Sequence, residues 1–218
     1  RAASGVSPEE HLVRVSELWA RFSQTAADNP YAWIREAMSA EEIRTPWPRN
    51  RMIGFPYTKV MNSNNDVDMA AALFVCSAET AQRLGVPEDR WVFPLAGTDC
   101  HEHPAVSHRD TFAATPAIEL GGALALELAG TSIDEVALID LYSCFPSAVQ
   151  IAADALDLPV DAPERPLSVT GGLTFAGGPG NAYGSHAIAT MVPILRADPT
   201  STGLSTSLGW YATKHAVG

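Results

Sequence analysis

Apolar residues recur at three- and four-residue intervals near the start of the chain, at Leu12, Val15, Trp19, Phe22 and Ala26, the spacing of a helix that buries one face. Ser7, Pro8 and Glu10 ahead of them combine an N-cap hydroxyl, a proline at the first helical position and an acid three residues on, and Asp28-Asn29-Pro30 stops the pattern. A short second helix is expected over residues 31–38, and Ser39 with Glu42 repeats the cap before Pro46 and Pro48 break it. The period then changes. Residues 69–76 are an unbroken apolar run of strand length, and Ser77 caps a helix that Gly85 ends. A second strand is expected over 91–96, then a His-rich loop, a helix over 116–129 between Thr115 and Gly130, and a third strand over 136–142. A helix over 147–158 leads through a Pro-rich connection to a glycine loop and a helix ending near Leu195. Strands over 204–210 and 212–217 close the chain. Strands alternating with helices predict an α/β protein with a parallel or mixed sheet covered on both faces.

The glycine loop dominates this picture, with Gly171, Gly172, Gly177, Gly178, Gly180 and Gly184 falling just ahead of the helical pattern. Such a loop lets backbone come close to a ligand and leaves N–H groups free at a helix start, which suits an anionic or carbonyl oxygen. It has neither the spacing of a dinucleotide fingerprint nor the Gly-Lys-Ser/Thr of a phosphate-binding Walker loop.

At 218 residues and 46% hydrophobic composition, the chain is long enough for one large domain or one domain with an appendage. Its net charge of −11 works against nucleic acid or an anionic membrane as partner. Three cysteines without close spacing argue against a disulfide framework and for a reducing cytoplasm. No apolar run is long enough to span a membrane. The chain opens on Arg1 rather than Met, which suggests a processed chain or a fragment.

Between Ile43 and Asn65 there is no acidic residue, while Arg44, Arg49, Arg51 and Lys59 stand among Trp47, Phe55 and Tyr57. This cationic island reads either as a grip on a phosphate-bearing ligand or as a solvated linker. Cys100, His101, Glu102, His103 and His108 invite a metal, but adjacent residues cannot all face one ion, so a polar surface loop is expected. Cys144 sits where a strand ends and a helix begins. That place suits a reactive thiol, although a lone cysteine there is more often a buried core residue.

Gly171-Gly172, Gly177, Pro179 and Gly184 together resemble the thiolase loop that usually reads Gly-His-Pro-x-Gly-x-x-Gly. Residues 140–145, Asp140 to Phe145, are similar to the thiolase segment ending Asn-Glu-Ala-Phe, and more so to its His-Asp-Cys-Phe version in sterol carrier protein thiolases. Ser207-Leu208-Gly209 falls where thiolases carry Cys-x-Gly, and Asn64 to Ala72 resembles the start of a thiolase strand. The resemblance runs over residues 50–218. It implies a thiolase-like fold of the C-terminal half, a mixed sheet covered by helices over 61–218, preceded by a helical loop-domain segment over 1–60. It further implies acyl-coenzyme A as ligand, with Arg49, Arg51 and Lys59 holding the coenzyme A tail. Catalytic candidates are Cys144, Tyr142 and Ser207, and Gly177, Gly178, Asn181 and Tyr183 are placed on the substrate. A missing N-terminal half, a partner chain or a further copy of the chain is expected to cover the exposed sheet edge. No metal is expected.

The departures from the family pattern bear on chemistry. Gly178 replaces the loop histidine of the oxyanion hole, Ser207 replaces a catalytic cysteine, Tyr142 replaces the Asn or His that orients water, and Ser143 replaces the acid beside it. Loss of one oxyanion donor typically costs about a hundred- to a thousandfold in rate. Three readings follow: an acyl-CoA protein of acetyltransferase type in lipid or sterol metabolism with altered or lost thiolysis, a retro-aldolase acting on β-hydroxyacyl-CoA, and a non-catalytic acyl-CoA binder or assembly subunit.

Overall fold

The computed structural model describes residues 2–218. The first helix, α1 (Pro8–Asp28), begins on a Ser7 side chain that accepts from the Glu10 amide, and it buries Val15, Leu18, Trp19, Phe22 and Ala26. A second helix, α2 (Ala40–Arg44), carries a complete capping box between Ser39 and Glu42. Residues 31–38 are not helical, contrary to the sequence expectation. Their amides are claimed by tertiary acceptors instead: Trp33 donates to the Ala176 carbonyl at 3.0 Å, Ile34 to Phe175 at 2.8 Å and Met38 to the Ser23 hydroxyl at 2.9 Å. The segment becomes a strap that ties α1 to the glycine loop.

A two-stranded hairpin, β1 (Met52–Gly54) with β2 (Tyr57–Thr58), turns through a cis Phe55–Pro56 peptide. After it, α3 (Ala78–Arg83) starts on the expected Ser77 cap. The apolar run 69–76 and residues 91–96 are not strands. A strand needs a neighbour for its N–H and C=O groups, and among the described residues neither segment is paired into a sheet, so Leu73, Phe74 and Val75 stand exposed. The His-rich stretch instead contains a strand, β3 (Thr98–His101), where a loop was expected.

The helix α4 (Pro116–Ala129) ends on Gly130 in the left-handed region and is followed by β4 (Leu138–Asp140) and α5 (Pro146–Ala155). Then come one short turn of helix, α6 (Gly172–Phe175), the long α7 (Tyr183–Ala197), and the terminal strands β5 (Gly203–Gly209) and β6 (Lys214–Val217). The four-stranded sheet has the order β3-β6-β5-β4, with β4 and β5 parallel and the other pairs antiparallel. This is the mixed α/β sheet covered by helices that the sequence predicts. Helix α4 lies on β3 and β6, α7 lies on β5, and α5 packs against both α4 and α1. One hydrophobic core joins Val15, Trp19 and Phe22 of α1 to Ile118, Ile139, Leu141, Val149 and Phe175, so side chains from both sides of residue 60 share it.

Candidate functional site

The site is built at the end of β4, where the strand delivers a fully buried acid. Asp140 Oδ2 accepts hydrogen bonds from the Ser168 hydroxyl at 2.9 Å, the Val169 amide at 3.0 Å, the Thr170 amide at 3.1 Å and the Thr170 hydroxyl at 3.0 Å. Its Oδ1 accepts from the Tyr183 hydroxyl at 2.7 Å. Burial raises its carboxyl above the usual range, and the hydrogen bonds from Tyr183, Ser168 and Thr170 oppose that shift. A buried carboxylate is tolerable only when so many donors converge on it. Asp140 therefore fixes three separate stretches of chain: its own strand, residues 168–170 and the start of α7.

From this anchor the glycine loop departs in a conformation that side chains rarely adopt. Gly171 and Gly172 have φ of 96° and 77°. A Cβ on Gly172 would lie 2.5 Å from the Ser143 hydroxyl, which accepts from the Leu173 amide at 3.1 Å. Below the loop, Trp19 is buried, stacks on Phe22 at 5.0 Å between centroids and donates its indole N–H to Thr174 Oγ1 at 3.2 Å.

Cys144, Tyr142 and Tyr183 meet in one small apolar cluster with Leu173 and Ala187. The Tyr142 and Tyr183 rings pack edge to face, 5.5 Å apart at 87°. Burial pushes the Cys144 thiol up from 9.0 to about 11 and pushes the Tyr142 phenol upward as well. Tyr183 is raised well above the ordinary tyrosine value, first by burial and then by the charge of Asp140. Ser207 on β5 lines the same void of about 10 Å³ as Tyr142, and a Cβ on Gly184 would come 2.7 Å from its hydroxyl. Gly177 and Gly178 are buried in the loop, whereas Asn181 is exposed in the turn ahead of α7.

The cationic candidates lie apart from that cluster, exposed on either side of the β1–β2 hairpin, Arg49 and Arg51 just before it and Lys59 just after. The Arg49 guanidinium sits 5.1 Å over the Trp47 ring, and the Lys59 amide donates to the Arg51 carbonyl at 2.9 Å. The hairpin also carries a residue that the sequence did not single out as functional. Tyr57 stacks on Phe145 at 6.1 Å, is hydrogen-bonded to Ser147, and has its phenol raised by burial and, more weakly, by Cys144. A cleft of about 790 Å³ opens beside it, bounded by Phe55, Tyr57, Phe112, Ile151 and Leu158. The hairpin thus links the exposed cations, the cleft and the neighbourhood of Cys144. The Asp140 anchor was equally missed; an acid ending an apolar strand was its one visible signal. Among the described residues, no three His, Cys, Asp or Glu side chains converge as metal ligands, and the His103 and His108 rings lie 6.3 Å apart.

No protein-family model matches the chain, and no curated protein does. Among solved structures it is similar to a monomeric SCP2-thiolase like protein type 1 from Mycobacterium smegmatis, with 38% identity and a TM-score of 0.89. The match takes in 100% of this chain and 48% of that one, so the chain spans about half the length of the structure it resembles.

Proposed function

We propose, from the premise that this is a thiolase-like chain of the sterol carrier protein thiolase type, that it binds an acyl-coenzyme A and holds the thioester beside Cys144 and the glycine loop without performing thiolysis through its own residues. The protonation state of the cluster carries this reading. With Cys144 at about 11 and Tyr142 raised beside it, both are neutral donors at neutral pH, and thiolysis needs a thiolate or a base. Asp140 does not supply the base, because its oxygens are already occupied by five donors in a fully buried setting. The same direction at Tyr142 works against a retro-aldol step that would use its phenolate. The cleft beside Tyr57 has the size of a small-molecule site. Arg49, Arg51 and Lys59 are the groups proposed for the phosphates of the coenzyme A tail. Free thiols at Cys76, Cys100 and Cys144 suit a reducing cytoplasm, and lipid or sterol acyl-CoA metabolism is the proposed setting.

The test is titration of the protein with acetoacetyl-CoA, with and without free CoA. Saturable binding with no CoA-dependent loss of acetoacetyl-CoA is expected. Turnover that requires CoA and disappears in Cys144→Ala would overturn the reading. In the same assay Arg49→Ala and Arg51→Ala are expected to weaken binding and flatten its salt dependence; if both stay unchanged, the coenzyme A tail lies elsewhere.

A further inference from the structure

The loop lacks a side chain at Gly178, and a polar turn from another part of the chain stands over that position. The Ser63 amide donates to the Cys144 carbonyl at 3.0 Å, and the Asn64 amide donates to the Leu173 carbonyl at 3.0 Å. The Asn64 carbonyl in turn accepts from the Gly178 amide at 2.8 Å. Asn62 is held as well: its carbonyl accepts from the Thr174 hydroxyl at 2.9 Å, and its side-chain amide donates to the Thr58 carbonyl at 2.6 Å. The backbone of the turn is therefore pinned to both the Cys144 segment and the glycine loop.

The Ser63 and Asn65 side chains of the turn lie against Gly178. A Cβ built there would overlap the Ser63 hydroxyl and lie 3.3 Å from Asn65 Oδ1, so the place of a loop side chain is already filled by these two groups. The Ser63 hydroxyl donates to Asn65 Oδ1 at 2.9 Å. With its oxygen so engaged, the Asn65 side chain keeps the two donors of its NH2 for a ligand. Asn65 itself is exposed.

We infer that Asn65, oriented by Ser63, donates the hydrogen bond to the carbonyl oxygen of a thioester lying over Gly178; this rests on the acyl-CoA reading above. Asn65 is the binding group and Ser63 its positioning residue. The donor is neutral and built from a separate segment, so it recognises the carbonyl without offering a proton to transfer, in keeping with binding in the absence of thiolysis.

The experiment compares the affinity of the protein for acetyl-CoA with that for S-ethyl-CoA, a thioether of the same tail and chain length that lacks the carbonyl oxygen. The unsubstituted protein is expected to prefer acetyl-CoA. Asn65→Ala and Asn65→Asp should each reduce that preference by roughly 3- to 10-fold, the worth of one net hydrogen bond, and leave thioether affinity in place. Asn65→Asp keeps the shape and the Ser63 contact but removes the donor, so it must lose at least as much as the alanine variant. Ser63→Ala should lower the preference by less. An unchanged preference in both Asn65 variants, or an equal loss for both ligands, overturns the inference while acyl-CoA binding stands. If the unsubstituted protein binds neither ligand, the acyl-CoA reading fails first and this inference with it.

Discussion

At the scale of single residues, Cys144 decides most. Its sequence position left both a reactive thiol and a core cysteine open, with the core role favoured on its own, because spacing reports a place on a strand end and says nothing about desolvation. The structure places it in an apolar cluster that pushes it to about 11, whereas Cys76 is exposed. Iodoacetamide labelling read by peptide mass should therefore modify Cys76 readily at pH 8 and leave Cys144 largely unreacted until the pH approaches 11. The linkage has a definite sign: a thiol whose folded value exceeds its unfolded 9.0 keeps its proton longer when folded, so this residue lowers stability as pH rises from about 9 through 11. Tyr142, Tyr183 and Ser207, picked out through the thiolase resemblance, are brought close to Cys144 or to one another. Asp140 and Asn65 were legible only as letters, since each acquires its meaning from partners far along the chain.

At the scale of elements, the helices were readable wherever local chemistry fixes them. Ser7, Ser39 and Ser77 cap as their sequences suggest, and α4 occupies the residues expected of it. The expectation failed over 31–38, where carbonyls of the glycine loop and the Ser23 hydroxyl outcompete a local helix, and over 98–101, where β6 recruits a His-rich stretch as a strand. Both outcomes are decided by segments remote in sequence, which periodicity cannot report. The junction between the glycine loop and the 62–65 turn is similarly tight. Gly178→Ala should cost about 1–3 kcal/mol in urea unfolding, because its Cβ overlaps the Ser63 hydroxyl. Combining it with Ser63→Ala, which removes that oxygen, should recover most of the loss, and a purely additive pair would show that the overlap is not the cause.

At the scale of the whole molecule, the chain presents apolar surface that it does not cover itself. Leu120, Leu124 and Leu128 are exposed at four-residue intervals along α4, and Leu73, Phe74 and Val75 are exposed in the unpaired run 69–76. Such surface and an unpaired apolar run call for a partner, and the proposed partner is the other half of a thiolase-like fold, as a preceding segment or a second chain. The chain on its own should self-associate in light scattering, and Phe74→Lys with Leu124→Glu should suppress this; a monodisperse unsubstituted chain at high concentration would count against it. The convergence on Asp140 bears on how this molecule opens. Strand β4, residues 168–170 and the first turn of α7 share one carboxylate, so none can detach without leaving buried donors unpaired. The amide hydrogens of Thr170, Gly171 and Gly172, though they belong to a loop, should exchange with deuterium as slowly as those of the sheet, through a single cooperative opening.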